Sequence, residues 1–179
     1  MAAQLAVASQ ENPMRRIRIG KVVVNISVGK SGEPLEKAAQ VLQGITGHKP
    51  AQRRAKKTIK NFGIRKGEPI SCMVTLRGGD ARAFLERALE AVGRRLKLSS
   101  FDDEGNVSFG LKEHIEIPGV KYDPELGIYG MNINVYLERP GYRVKRRRRS
   151  PSSIGKAHKI TREEAVKFME ETFSVQIGG

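Results

Sequence analysis

Several residue types that particular functions require are scarce or missing in this chain. It contains no tryptophan and only four tyrosines, whereas proteins that stack many single-stranded bases usually carry more aromatic side chains. The single cysteine, Cys72, cannot form an internal disulfide and fits a reducing compartment; we expect it to be a small buried side chain in a strand. No apolar run approaches the roughly 18 residues of a membrane span, so we expect no membrane partner.

Residue patterns that support catalysis or metal binding are also missing. The three histidines, His48, His114 and His158, are far apart and no second cysteine accompanies them, which argues against a zinc site. Gly29–Gly32 (GKSG) follows a hydrophobic strand, as in a phosphate-binding loop, but Val24 stands where such a loop begins with glycine. We therefore predict no enzyme, no catalytic residue, no metal and no cofactor. A nucleoside triphosphatase is the alternative.

What the chain does have is positive charge, and this charge is concentrated in two segments. The formal net charge is +14, from 33 basic and 19 acidic residues. Lys49–Lys66 holds eight basic residues and no acid, and Arg139–Lys159 holds nine and no acid. The remaining 16 basic residues are outnumbered by the 19 acidic ones. Counterion release from a polyanion favours such a layout, so a nucleic acid is the predicted partner.

Hydrophobic periodicity predicts a chain of strands and helices. We expect helices from Pro34 to near Gly47, from a cap at Asp80 to about Leu96, and over Glu163–Thr172 behind a capping box at Thr161–Glu164. The predicted strands are Arg18–Val28, Pro50–Ala55, Ile70–Arg77, Val107–Leu111, His114–Ile117, Met131–Glu138 and Phe173–Ile177. Pro140–Lys159 has no periodicity and few apolar residues, so we expect a loop or extension that is disordered without a partner.

This order of elements predicts an α+β fold: an antiparallel sheet with helices packed on one face, the other face open to RNA, and long basic loops. We expect a flexible tail over residues 1–13 and a single RNA-binding domain over residues 14–179. In Met131–Glu138, apolar residues alternate with Asn132, Asn134 and Tyr136, which would place polar side chains on the open face.

The two basic segments differ in character. We call residues 56–67 the basic loop and residues 139–159 the basic extension. In the basic loop the cations are mixed with polar and apolar residues between glycines, which indicates a structured loop; Phe62 either stacks on a ribose or base or pins the loop to the core. In the basic extension, the nearly consecutive Arg143–Arg149 run favours phosphate contacts, with a nuclear localisation signal as the alternative.

Several long motifs resemble one known family. Val22–Gly29 (VVVNISVG), Thr46–Pro50 (TGHKP), Lys56–Ile70 (KKTIKNFGIRKGEPI) and Val74–Gly78 (VTLRG) have the order and spacing of universal large-subunit ribosomal protein five, the family that binds 5S rRNA. Arg139–Arg149 (RPGYRVKRRRR) resembles its archaeal and eukaryotic branch. The resemblance covers nearly all of residues 14–175.

The resemblance implies a structural constituent of the large ribosomal subunit, in the cytoplasm, bound to 5S rRNA and large-subunit rRNA in the central protuberance. It also implies contacts with P-site tRNA, with large-subunit ribosomal protein eighteen, and with small-subunit ribosomal protein thirteen. Without it, composition would fit a non-ribosomal RNA chaperone or a nucleic-acid architectural protein nearly as well.

The resemblance also assigns candidate residues. Asn25 and Thr75 match family positions that hydrogen-bond 5S rRNA, and His48 stands where many members have glutamine. We group with them, for 5S rRNA, Lys49, Arg53 and Arg77. The basic loop corresponds to a loop that reaches P-site tRNA, through Lys56, Lys57, Lys60, Asn61, Phe62, Arg65 and Lys66. The predicted rRNA phosphate contacts are Arg143, Lys145, Arg146, Arg147, Arg148 and Arg149.

Overall fold

A five-stranded antiparallel sheet is the centre of the fold, which a computed structural model describes over residues 12–178. The strands are β1 (Arg18–Ser27), β2 (Ala51–Arg54), β3 (Pro69–Leu76), β4 (Arg95–Lys97), β5 (Val107–Leu111), β6 (Met131–Glu138) and β7 (Gln176–Gly178). The helices are α1 (Glu33–Thr46), α2 (Gly78–Ala91), α3 (Arg143–Arg146) and α4 (Arg162–Phe173). The predicted α+β class is confirmed.

The strand order in the sheet is β2-β3-β1-β6-β5, and each neighbouring pair is antiparallel. Helix α1 packs against β3 and α2 packs against β1, and both bury their apolar stripes on the same face of the sheet. Strands β4 and β7 form a separate parallel pair. The helices therefore cover one face, and the opposite face carries the alternate side chains of each strand.

A β-bulge at Gly20 decides which side chains of β1 face the helices. The register of β1 against β6 shifts between Ile19 and Lys21. A shift of one residue exchanges the two faces of a strand, so Ile19 packs against the core. Arg18 lies on the open face instead, opposite Glu138. Two cations of β1, Arg18 and Lys21, are thereby placed on the same face of the sheet.

Four details of the elements differ from the prediction, and two of them concern α2. The cap at Asp80 is wrong, because α2 begins at Gly78 with Arg77 as its N-cap and Asp80 lies within its first turn. The same helix ends before Leu96, because Gly93 and Arg94 adopt positive φ and β4 follows at once. The other two concern shorter segments: His114–Ile117 is not a strand but a 3₁₀ turn over His114–Glu116, and the last strand begins only at Gln176, after a left-handed Ser174.

The capping box is confirmed. Thr161 accepts from the backbone N–H of Glu164 at 3.4 Å, and the Glu164 carboxylate accepts from the N–H of Thr161 at 3.1 Å. Cys72 is fully buried in β3 as expected, and burial raises the pKa of its thiol. Among residues 12–178, no helix is long and apolar enough to cross a bilayer. Residues 1–11 of the predicted flexible tail lie outside the described residues.

The basic extension is folded onto the body, so the expectation that it lacks the apolar contacts for ordering is wrong. Tyr142 is buried in the core cluster, and Ile154 packs against it. The Tyr142 hydroxyl donates to the His158 carbonyl at 3.2 Å and accepts from the Ile160 N–H at 3.0 Å. The two ends of the segment are thereby joined, and the segment closes as a loop.

This closure predicts a large stability effect from one hydroxyl. Tyr142→Phe leaves the buried N–H of Ile160 without its acceptor, so we expect the free energy of unfolding to fall by about 1–3 kcal/mol. Tyr122→Phe is the matched control, because Tyr122 is exposed and its change should stay within about 0.5 kcal/mol. Urea denaturation of both variants measures the difference. Equal stabilities would mean that Tyr142 does not fasten the extension.

Candidate nucleic-acid interface

The open face of the sheet carries a patch of small polar and amide side chains. Asn25 on β1 lies beside Asn132 on β6, and its amide Nδ2 donates to Ser27 Oγ at 3.0 Å. Asn134 on β6 lies opposite Ser108 on β5. The residues that line this shallow surface are Val23, Asn25, Met73, Ser108, Phe109, Gly110, Asn132 and Asn134. Such a surface can offer hydrogen bonds to ribose hydroxyls or base edges.

Three of the candidate 5S rRNA residues meet around Met73. Thr75 is exposed and pairs with Val23, two positions from Asn25, so both polar side chains lie on the open face, as predicted. Arg53 of β2 lies on this face as well, and its Nε donates to the Met73 sulfur. An amide, a hydroxyl and a guanidinium are therefore presented together by three adjacent strands.

The other three candidates lie at the end of β3. Ala51 pairs with Met73, so the antiparallel register places His48 and Lys49 alongside the end of β3, near Arg77. His48 Nε2 is 3.1 Å from a carboxylate oxygen of Asp80 in the first turn of α2. The His48 ring is thus partly engaged by the protein itself, a contact that sequence reasoning did not foresee.

The basic residues of Lys49–Lys66 differ from several cations on the helix side of the molecule in having no acidic partner. Along α1 and α2 and just after α2, three cations pair with carboxylates one turn away: Lys37–Glu33 at 2.8 Å, Arg82–Glu86 at 3.1 Å and Arg94–Glu90 at 3.1 Å. Within residues 12–178, by contrast, none of the eight cations of Lys49–Lys66 has a carboxylate within ion-pair distance. Their charge is available to an anionic partner.

The basic loop is an ordered hairpin rather than a solvated tail. Ile59 and Ile64 exchange backbone hydrogen bonds of 2.9 and 3.2 Å, and Lys66 N–H donates to Thr58 Oγ1 at 2.9 Å. Phe62 is at the tip and is 73% exposed. The alternative in which Phe62 pins the loop to the core is therefore wrong, and an aromatic ring is presented to solvent.

The GKSG turn supports the base of this hairpin. Ser31 Oγ donates to Glu68 Oε1 at 2.6 Å, and Arg65 N–H donates to Glu68 Oε2 at 2.9 Å. The Ser31 hydrogen bond, followed by that from the Arg65 amide, lowers the pKa of the Glu68 carboxyl. The serine that resembled a phosphate-binding residue thus fastens a loop. Elsewhere in the described chain, no group of three or more His, Cys, Asp or Glu residues could hold a metal ion.

The basic loop and the basic extension, together called the two basic arms, leave the sheet at opposite ends of β1. The basic loop follows β2 and returns at Pro69, beside the end of β1, where the N–H groups of Val28 and Gly29 donate to the Ile70 carbonyl. The basic extension begins beside Arg18, at the start of β1. Ten residues of extended chain separate these ends, roughly 33 Å. The open face lies between the two arms.

The arginine run is exposed, but its members are not equivalent. Arg146 donates to Glu138 at 2.6 Å, and Lys145 lies 3.8 Å from Glu104. In the described part of the chain, Arg143, Arg148 and Arg149 form no ion pair. Sequence reasoning missed the carboxylates, because nothing in the run itself indicates which of its members meets an acid from another element.

Residues 12–65 match the family described as Ribosomal protein L5, and residues 69–174 match its C-terminal part, described as ribosomal L5P family C-terminus. The chain is 59% identical over 166 residues to the large ribosomal subunit protein uL5 of Pyrobaculum aerophilum, which covers 93% of each chain. It is 53% identical over 174 residues to that of Sulfurisphaera tokodaii, covering 97% of this chain and 98% of the relative.

Glu68 gives a test of how the hairpin is held. We expect Glu68→Ala to speed amide hydrogen exchange across residues 58–66 at pH 7, because two hydrogen bonds at the hairpin base are lost. A folded-state pKa below the ordinary 4.5 means that this support is present above pH 4.5 and is lost as the pH falls through the lowered pKa. Glu36→Ala, in the exposed first turn of α1, should leave this exchange unchanged. Unchanged exchange in Glu68→Ala would remove Glu68 from the loop's support.

Proposed function

The chain belongs to the ribosomal protein L5 family, in its archaeal form, and we propose that the open face of its sheet binds 5S rRNA. It is a structural protein of the large ribosomal subunit, located in the ribosome in the cytoplasm, and the family is not one of enzymes. The nucleoside triphosphatase alternative is therefore set aside.

The observation that carries this proposal is the concentration of unpaired cations in Lys49–Lys66, beside the open face of the sheet. Lys37, Arg82 and Arg94 each pair with a carboxylate one turn away, whereas no cation of the basic loop pairs with a carboxylate of residues 12–178. Unpaired cations raise the potential at the surface where they lie and release counterions when a phosphate backbone replaces water there. The sheet face and the two arms are therefore the surface that an RNA would contact.

This surface offers two kinds of contact to RNA: neutral hydrogen-bonding groups and cations. Asn25 and Thr75 present hydrogen-bonding groups without charge, while Lys49, Arg53 and Arg77 present cations around them. Phosphate contacts position a protein on RNA, and hydrogen bonds to ribose and bases select the site. We assign the neutral residues to selection and the cations to positioning.

We propose that the basic loop contacts P-site tRNA. It projects from the end of the sheet with exposed cations and an exposed Phe62 at the tip, a combination suited to a phosphate backbone and an adjacent ribose or base. A contact formed mainly by exposed charge is weak and screened by salt, which suits a ligand that must leave on each cycle.

The basic extension, at the other end, is proposed to contact rRNA phosphates through Arg143, Lys145, Arg147, Arg148 and Arg149. A place in the central protuberance, and contacts with large-subunit ribosomal protein eighteen and small-subunit ribosomal protein thirteen, rest on the family resemblance alone.

We predict that the purified chain retains an archaeal 5S rRNA transcript in preference to tRNA or duplex DNA. Asn25→Ala should weaken 5S rRNA binding by about 1 kcal/mol or more, because a polar contact is lost in a desolvated interface. Gln43→Ala, exposed on α1, is the control and should bind normally. Filter binding with a thermal unfolding check on each variant measures this. Equal affinity for all three nucleic acids would favour an RNA chaperone or an architectural protein.

A second prediction concerns the tip of the basic loop. Phe62→Ser should weaken retention of tRNA in the P site of reconstituted ribosomes, by roughly the 1–3 kcal/mol of one stacked base. Binding of 5S rRNA should not change. Ile128→Ser removes a comparably exposed apolar side chain from another loop and serves as the control. Lost 5S rRNA binding with normal tRNA retention would move this loop into the rRNA interface.

A further inference from the structure

Glu138 is a buried carboxylate on the otherwise open face of the sheet. It ends β6 on the same side as Tyr136, yet its side chain is only 7% exposed. Arg18 donates to one carboxylate oxygen through Nη2 at 2.9 Å and Nε at 3.2 Å. Arg146 donates to the other oxygen at 2.6 Å. One acid therefore joins the first strand to the basic extension.

Gly20 makes the space for this carboxylate. A Cβ atom at Gly20 would lie 2.8 Å from Glu138 Cδ and 2.9 Å from its Oε2. Any side chain at this position of β1 would push the carboxylate away. The bulge at Gly20 also places Arg18 on the open face, so one local irregularity supplies both the space and one of the two partners.

Arg146 is the point at which the arginine run is fastened to the sheet. It lies in the single turn of α3, and its guanidinium carbon is 5.9 Å from the centre of the Tyr136 ring. Lys21 lies 5.5 Å from the same ring. Arg147 and the arginines after it are exposed. The direction in which they leave the body is therefore set where Arg146 meets Glu138.

We propose that Glu138 is a positioning residue for RNA binding, which holds Arg146 so that the neighbouring arginines are presented in fixed places beside the open face. The inference rests on the proposed function. The guanidinium of Arg146 is held by hydrogen bonding to a buried carboxylate that it shares with Arg18, so Arg146 acts as a tether and not as a phosphate contact. Arg143, Arg147, Arg148 and Arg149, which pair with no carboxylate among the described residues, then supply the charge.

Glu138→Gln tests this inference, because long-range charge attraction and a positioning role predict opposite changes in RNA affinity. The substitution raises the formal net charge by one from +14, so long-range attraction alone predicts tighter binding to RNA. If Glu138 positions the extension, binding of an archaeal 5S rRNA transcript weakens by about tenfold despite the added charge. Folding should survive, because Arg18 and Arg146 keep side-chain exposures of 60% and 48% and can be solvated.

Two matched controls separate position from charge. Glu104→Gln also removes a carboxylate beside the extension, but Glu104 is 57% exposed and its distances to Lys145 and Lys159 are both 3.8 Å. It should bind RNA as well as the unmodified chain or better. Gly20→Ala displaces the Glu138 carboxylate without changing charge and should weaken binding, whereas Gly44→Ala, with no atom near its Cβ, should not.

Two further measurements report on the tether itself. In the RNA-free protein, Glu138→Gln should speed amide hydrogen exchange at Val144, Lys145 and Arg147, whose N–H groups donate to backbone carbonyls at the single turn of α3. Arg146→Gln should weaken RNA binding as Glu138→Gln does, and the double variant should lose little more than either single one, because both changes break one contact. General destabilisation would instead lower the unfolding temperature and give additive losses.

The outcomes distinguish this inference from the function on which it rests. If the unmodified chain shows no preference for 5S rRNA, the proposed function fails, and the exchange experiment still decides whether Glu138 holds the extension. If the unmodified chain prefers 5S rRNA but Glu138→Gln binds it equally well or more tightly, with unchanged exchange in α3, the positioning role of Glu138 is overturned alone.

Discussion

Burial of only one face of the sheet is the constraint on which the rest of the structure depends. Side chains of a strand alternate between faces, so placing Val22, Val24 and Ile26 under the helices necessarily turns Asn25 to the opposite side. The alternation is interrupted between Ile19 and Lys21 in β1, and the pairing of β2 with β3 shifts at Arg54. Each interruption lies where a basic arm joins the sheet. The strand register is thus regular in the middle of the open face. The bulges lie near the ends of the strands, where they change the face on which basic side chains lie.

Charge compensation differs between the basic loop and the helices. Lys37, Arg82 and Arg94 have carboxylates one turn away, which reduces the local positive potential around them. Uncompensated cations of the basic loop repel one another, which opposes a compact loop. The loop is held nonetheless by hydrogen bonds at its base, including the contact of Glu68 with Ser31. The acid in this region serves to fasten the backbone, not to neutralise a lysine, so the positive potential is retained.

The sequence was sufficient for the elements whose signal is local. Alternation in Met131–Glu138 and the capping box at Thr161 are patterns within a few residues, and both are found where they were predicted. The ordered conformation of the basic extension was not predicted, because it depends on contacts with residues distant in sequence. Arg139 donates to the Arg15 carbonyl and to Glu164, and Tyr142 contacts Ile160. Periodicity was sufficient to place Asn25 and Thr75 on the open face. The His48–Asp80 contact and the space at Gly20 could not be predicted, because they depend on tertiary packing.

Because the two arms are anchored to the body, binding of a partner loses less free energy to ordering them. A segment that folds only on binding gives up part of its interaction energy at that moment. Here the hairpin base is closed by backbone hydrogen bonds between Ala55 and both Gly67 and Glu68, and the extension is closed by Arg139 and Tyr142. Only exposed side chains remain to be immobilised, at about 0.5–1.5 kcal/mol each. An RNA therefore meets arms whose backbones are already placed, and the cost that remains falls on the cations that contact it.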